Sequence, residues 1–207
     1  LVIRTLAARE PGAPLVAAGV SLGGNVLLKW LGENPGQAFV AAAAAVSTPY
    51  DLAAGSRYLE TWIGTIYCER FLNTLRPKAF DVARRFPEAA AKLDLERIRR
   101  TRTFWEFDDA ATGPLHGFAG AEDYYARSSS LNFLGRIATP TFCLSAEDDA
   151  FLPPSVLPLA RQRASSSIDF RTTAHGGHIG FIGGRVPWRP VYWAEELAVG
   201  WLAKRVG

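Results

Sequence analysis

Ser21 stands in Gly19-Val20-Ser21-Leu22-Gly23, a G-x-S-x-G string followed by Gly24. A serine hydroxyl becomes an effective nucleophile only beside a base, and that base needs a group to orient it. The chain has three histidines, His116, His175 and His178. His178 lies in Gly176-Gly177-His178-Ile179-Gly180-Phe181, a glycine-rich loop just past a strand-like segment, and is read as the base, with His175 its rival. Glu147, Asp148 and Asp149 follow the apolar segment Thr141 to Leu144 and are the candidates for the orienting acid. A second carboxylate pair, Asp108-Asp109, sits mid-chain and reads as solvated or structural. No third ligand clusters with His175 and His178, so neither a metal nor any other cofactor is expected.

These side chains can meet only if the elements bearing them share one end of a sheet. Leu15 to Val20 reads as an apolar strand, Asn25 to Leu31 as a helix stopped by Gly32, and Phe39 to Val46 as a second apolar strand. Apolar runs without alternation, separated by a helix, predict parallel strands covered on both faces. A strand running into the G-x-S-x-G string and a helix leaving it is the setting of a nucleophile elbow. The turn is tight enough that only hydrogens fit at positions 19 and 23, while Gly24 lets the helix lie close to the sheet. The hydroxyl is then displayed at the positive end of the helix, with the Leu22 backbone N–H beside it.

From Pro49 to about Arg136 the chain reads as helices rich in aromatics and arginine. Leu59, Trp62, Ile63, Ile66, Tyr67 and Phe71 fall on one helical stripe. Trp62, Ile66, Tyr67 and Phe71 are candidates to line a channel for an apolar chain. Strand and helix alternate again from Ile137: Thr141 to Leu144 a strand, Val156 to Arg163 a helix, and Ile168 to Thr173 an edge strand with Ile168 and Phe170 alternating with Asp169 and Arg171. A final helix starts near Pro190, with Ala194, Leu197, Ala198, Trp201 and Leu202 facing inward. The predicted fold class is α/β, a single domain whose core (1–48 and 137–207) is interrupted by a helical insertion at about 49–136.

Composition narrows the partners. The chain has 207 residues, 48% of them hydrophobic and 21% charged, a globular balance. Its longest apolar run, Ala38 to Val46, is nine residues, far short of the roughly 20 a bilayer span needs. The first ten residues lack the apolar core of a secretion signal. Cys68 and Cys143 are expected to be reduced thiols in a cytoplasmic chain. The net charge is +3, and 19 of the 23 basic residues are arginine. Between Arg84 and Arg102 seven basic residues face three acidic ones, a local excess larger than that of the whole chain. One basic patch of this kind argues against a nucleic-acid partner and suits a peripheral contact with an anionic membrane face.

The string from Gly19 to Lys29 (GVSLGGNVLLK) resembles the elbow of YheT-like α/β-hydrolases, which are related to eukaryotic lipid esterases and phospholipases of the α/β-hydrolase-domain class. The resemblance continues through Arg102 to Asp109 (RTFWEFDD), Leu115 to Ala119, Glu122 to Tyr125, Gly135 to Phe151 and His175 to Gly184 (HGGHIGFIGG), nearly the whole chain. It implies the α/β-hydrolase fold with a helical cap insertion and a Ser21–Asp149–His178 triad, Asp149 opening a D-x-x-x-P turn that ends at Pro153. Ala150 stands where the family usually has proline. Several strands precede the elbow in such hydrolases, and a loop among them supplies one oxyanion donor. Here only Leu1 to Glu10 precedes it, and His116-Gly117 falls too late in the chain to substitute. The resemblance therefore implies the C-terminal part of a longer enzyme, missing N-terminal strands, and a chain that alone folds poorly and turns over slowly.

The implied chemistry is cleavage of carboxylic esters, with short- to medium-chain acyl groups or acylglycerols and lipids as substrates, through an acyl-enzyme on Ser21. Transfer of the acyl group to another acceptor, thioester hydrolysis, or an inert module on the same scaffold are the alternatives.

Overall fold

The structure, a computed structural model, describes residues 2–186 and 188–206; the side chains of Trp62 and Ile63 lie outside the described set. The chain opens with α1 (Val2–Arg9), β1 (Leu15–Val20), α2 (Leu22–Glu33) and β2 (Val40–Val46). Helices follow: α3 (Leu52–Tyr58), α4 (Trp62–Arg85), α5 (Pro87–Ala90), α6 (Leu95–Arg100), α7 (Phe104–Phe107), α8 (Gly113–Leu115) and α9 (Ala121–Ser128). Then come β3 (Thr141–Ala146), α10 (Val156–Arg163), β4 (Ile168–Thr173), the two-residue strands β5 (Ile182–Gly183) and β6 (Val191–Tyr192), and α11 (Trp193–Ala203). Two compact units result, one of Leu1–Tyr50, Ser130–Ala150 and Pro154–Gly207, the other of Asp51–Ser129 with Phe151–Pro153.

The first unit holds a parallel sheet in the order β1-β2-β3-β4. Ala42, Ala44, Phe142, Leu144 and Ala146 pack with Phe181 and with Ala194, Ala198, Trp201 and Leu202 of α11. The intervening residues Ala43, Ala45 and Cys143 are equally buried, which is why β2 reads as an uninterrupted apolar run and β3 shows no alternation of buried and exposed residues. Ala42 to Ala45 thus serve a stretch of β2 whose two faces are both covered, while Ala41 is exposed. β1 and β4 end the sheet. Val16 and Val20 of β1 are exposed and their strand has no further neighbour among the described residues. β4 shows the alternation its sequence predicts, with Ile168 and Phe170 buried and Arg171 exposed.

Two local expectations are corrected. Gly32 does not stop α2, which runs on to Glu33 and ends at Asn34, whose side chain donates to the Trp30 carbonyl at 2.8 Å. Gly32 is instead a contact point: a Cβ there would stand 2.5 Å from the Phe133 carbonyl oxygen. The stripe from Leu59 to Phe71 is not one helix, because α3 ends at Tyr58 and α4 begins at Trp62. Leu59 and Gly64 meet across that break, too closely for any side chain at position 64. Residues 130–136 form two short 3₁₀ turns and belong to the first unit. The Ser130 amide there donates to the buried Asn25 Oδ1 of α2 at 2.8 Å.

The second unit is helical around Cys68, Leu72, Ala79, Ile98, Phe107, Ala110 and Ala111. Asp51 and Asp94 cap α3 and α6 by accepting from Ala54 N and Arg97 N at 2.9 Å. Asp108 and Asp109 are both structural. Tyr125 donates to Asp108 at 2.6 Å, and burial raises the pKa of that carboxyl. Asp109 accepts from Ala121 N at 2.9 Å and pairs with Arg97. Tyr67 and Phe71 set their rings 5.1 and 6.2 Å from Phe151. Ile66 is 71% exposed and lies beside Thr65, Glu69, Arg70 and Asn73. The Trp62 side chain is outside the described residues. In the basic stretch, Asp81 pairs with Arg84 and Arg85, and Glu96 lies 3.8 and 3.9 Å from Arg99 and Arg100. Among the described residues no helix is long and apolar enough to cross a membrane, and both cysteines are buried free thiols.

The contact at Gly32 makes a prediction. Gly32→Ala must push the Phe133 backbone away from α2 and should cost about 1–3 kcal/mol, read as a lower denaturation midpoint. Gly36→Ala, where an added methyl meets nothing within 4 Å, should leave the midpoint within about 0.5 kcal/mol of the parent.

Candidate active site

β1 runs into Ser21, and Ser21 turns the chain into α2. The serine backbone is left-handed, with φ 53° and ψ −127°, a conformation that costs an L-residue on the order of 1–3 kcal/mol. It is held by neighbours. Ser21 N donates to the Val46 carbonyl at 2.9 Å, continuing the β1–β2 ladder by one residue, while the Ser21 carbonyl accepts from Gly24 N at 2.9 Å as the helix begins. The amides of Leu22 and Gly23, which come before that bond, have no carbonyl within the helix to donate to, and Leu22 N–H follows directly on the serine.

The glycines divide their work differently from the expectation. A Cβ on Gly19 would stand 2.5 Å from the Gly23 carbonyl oxygen, and one on Gly24 would overlap the buried Thr48 Oγ1. Both positions demand glycine. A Cβ on Gly23 meets nothing within 4 Å, because this residue opens onto a groove of about 700 Å³ lined in part by Val26, Trp30 and Phe39. Steric necessity at position 23 is not found.

Three loops leave the C-terminal end of the sheet toward one place. Ser21 Oγ lies 2.8 Å from His178 Nε2, and His178 Nδ1 lies 2.9 and 3.1 Å from the two carboxylate oxygens of Asp149. Asp149 is 3% exposed. With Nδ1–H donating to that buried carboxylate, Nε2 is left as the acceptor facing the serine. Asp149 follows β3 directly, its amide donating to the Ala146 carbonyl at 3.3 Å. His178 follows β4 through a loop that returns to the core at Phe181. That ring is buried among Ala146, Ala194 and Trp201 and meets Trp193 edge-on at 5.1 Å.

The rival residues land elsewhere. His175 has a side chain 90% exposed and touches Asp148 Oδ2 at 3.4 Å. Asp148 faces the histidine loop through backbone amides, accepting from Gly176 N at 2.9 Å and Gly177 N at 2.8 Å. These bonds hold its carboxyl below the usual aspartate range, Gly177 N–H contributing most. His116 belongs to the helical unit. The sequence offers Asp148 as a candidate for the orienting acid beside Asp149. Its bonds to the loop amides are not legible from the sequence, where a second acid beside the first is the one available signal. Among the described residues no three His, Cys, Asp or Glu side chains gather as a metal site would require.

Residues 6–184 match a family model described as the alpha/beta hydrolase fold. YheT of Escherichia coli (strain K12), a protein named as an esterase, is 37% identical over 195 residues, 94% of this chain and 56% of its own length. The mouse phospholipase ABHD3 is 31% identical over 88% of this chain and 44% of its own. The mouse monoacylglycerol lipase ABHD2 is 30% identical over 91% and 48%. The chain thus spans about half the length of the curated relatives it matches. Among solved structures, the esterase domain of a Rhodothermus marinus protein superposes with a TM-score of 0.53 at 18% identity, covering this whole chain and 66% of that one.

The two glycines flanking Ser21 should respond differently to one added methyl. Gly19→Ala should lower stability by about 3 kcal/mol, whereas Gly23→Ala should leave it unchanged or raise it by up to about 1 kcal/mol through better helix propensity. Thermal melts of the two variants check this.

Proposed function

The chain belongs to the alpha/beta hydrolase fold family, and on that premise we propose that it carries the Ser21–His178–Asp149 triad of a serine esterase acting on carboxylic esters. The observation that carries the reading is the unbroken relay from Ser21 Oγ through both imidazole nitrogens to the buried Asp149 carboxylate, with steps of 2.8 and 2.9 Å. His178 takes the serine proton as Oγ attacks the ester carbonyl, and Asp149 stabilises the imidazolium that forms. Leu22 N–H binds the oxyanion at the helix terminus. His178 then protonates the departing alcohol, leaving an acyl-enzyme. A water, deprotonated by the same imidazole, releases the carboxylic acid and regenerates Ser21.

The names of the relatives, an esterase, a phospholipase and a monoacylglycerol lipase, support acyl esters of lipid type as the substrate class, with acylglycerols and short- to medium-chain esters foremost. The stretch from Arg84 to Arg102 is assigned to an anionic lipid surface. Phe86 is half exposed there, next to Arg84 and Arg85, so an aromatic ring and guanidinium groups face water together. Asp81 and Glu96 offset part of this charge. Sedimentation with vesicles should show binding that rises with phosphatidylglycerol content and falls on Arg84→Glu/Arg85→Glu substitution.

A fluorophosphonate should label Ser21 and no other residue, and Ser21→Ala should abolish both labelling and hydrolysis of nitrophenyl esters. Equal labelling of Ser21→Ala would overturn the assignment. Asp149→Asn should lower kcat by about 10⁴-fold, as loss of the charge and the wrong imidazole tautomer do in a triad of this kind. Activity assays on the two variants, beside intact melting curves, read both effects.

A further inference from the structure

The imidazole of His178 is fixed in the relay only if its loop is fixed, and that loop is glycine-rich. Gly177 is left-handed at φ 61°, and Gly176 is squeezed so that a Cβ would stand 2.6 Å from the Phe181 ring. Neither residue has a side chain with which to anchor itself. On the far side of His178 the loop is tied down: Phe181 N donates to the Gly176 carbonyl at 2.8 Å, and the Phe181 ring is buried in the core. On the near side, the ties from the loop's own amides lead to one carboxylate. Asp148 Oδ1 accepts from both Gly176 N and Gly177 N, the two amides immediately before His178.

Resting on the triad reading above, we propose that Asp148 is a positioning residue for His178, its carboxylate stapling the base-bearing loop to the loop that carries Asp149. Adjacent acids then do two jobs. Asp149 orients the imidazole ring, and Asp148 sets the backbone from which that ring projects. Because both leave the end of β3, the ring and its backbone are referred to the same strand end. Displacement of the loop by about 1 Å would part Nε2 from Ser21 Oγ, and a misplacement of that size costs about 10²-fold in rate. The bond requires an acceptor at Oδ1 and not a charge as such, so asparagine can replace aspartate. His175, held by Asp148 at longer range and otherwise in water, is dispensable.

The test compares Asp148→Ala, Asp148→Ser, Asp148→Asn and His175→Ala for the rate of fluorophosphonate labelling at Ser21 and for kcat and KM on a nitrophenyl ester. Asp148→Ala and Asp148→Ser should both fall about 10- to 100-fold in labelling rate and kcat, with KM and melting temperature unchanged. Asp148→Asn and His175→Ala should stay within about threefold of the parent. Folded Ala and Ser variants that match the parent would overturn the proposal, as would an Asn variant as slow as Ala. Amide exchange gives a reading independent of activity. Gly176 and Gly177 N–H should be protected in the parent and exposed in Asp148→Ser, and the absence of protection in the parent would overturn the staple. A parent chain that fluorophosphonate does not label overturns the triad reading instead, leaving the exchange result to decide the staple.

Discussion

The left-handed backbone of Ser21 is the constraint on which the site depends. A residue at φ 53° relaxes unless the chain on both sides is held, and here both sides are. The parallel ladder with β2 holds the entry through Val46, and the first turn of α2 holds the exit. Gly19 and Gly24 let the two pass each other without a side chain between them. The buried centre of β2 and the fully buried β3 in turn keep the ladder in register, with Gly19 opposite Ala45 and Val20 opposite Val46. The strain at one serine is thereby distributed over a sheet edge, a helix start and a buried strand.

The same logic extends to the other two loops. β2, β3 and β4 are parallel, so their C-terminal ends fall on one side of the sheet, where connections are free to carry polar groups. Asp149 can be buried because the His178 imidazole satisfies it. The histidine loop, in contrast, is built largely of glycine, and its conformation is imposed from outside: by Phe181 in the core and by the Asp148 carboxylate. Two acids of the same type, one residue apart, differ in what they touch because successive side chains leave a loop in different directions.

The helical unit has a core of its own, built from α4, α6, α7 and the π-turn at Asp108–Thr112. The buried Asp108 carboxyl is satisfied by Tyr125 and Thr112, as a polar group removed from water must be. Cation–π contacts such as Arg57 over Trp105 and Arg99 over Phe80, at 4.9 and 5.4 Å, show arginine guanidinium groups covering aromatic faces in this unit. The segment's abundance of both residue types therefore has a packing explanation alongside its charge.

Much of this was legible before folding. Strands β2 and β3 announced themselves as apolar runs because both of their faces are covered, and β4 as an alternating one because it ends the sheet. The span of α10 could be read directly, since its register of small and apolar residues is local. Ser21, Asp149 and His178 could be singled out as a set because the elbow string, the acid turn and the glycine-rich histidine loop are each short and contiguous. What sequence could not decide were matters of distance between segments far apart in the chain. Gly32 looks like a helix stop, yet Phe133, a hundred residues away, is what requires it to be glycine. Gly23 looks as constrained as Gly19, and only the open groove beside it distinguishes them. The stripe from Leu59 to Phe71 has helical spacing, but Leu59 packs against Gly64 across a break that periodicity does not reveal. The different contacts of Asp148 and Asp149 follow from which part of the histidine loop each meets, backbone amides for the one and the imidazole for the other, and tertiary packing decides that because adjacent identical side chains carry no local signal to separate them.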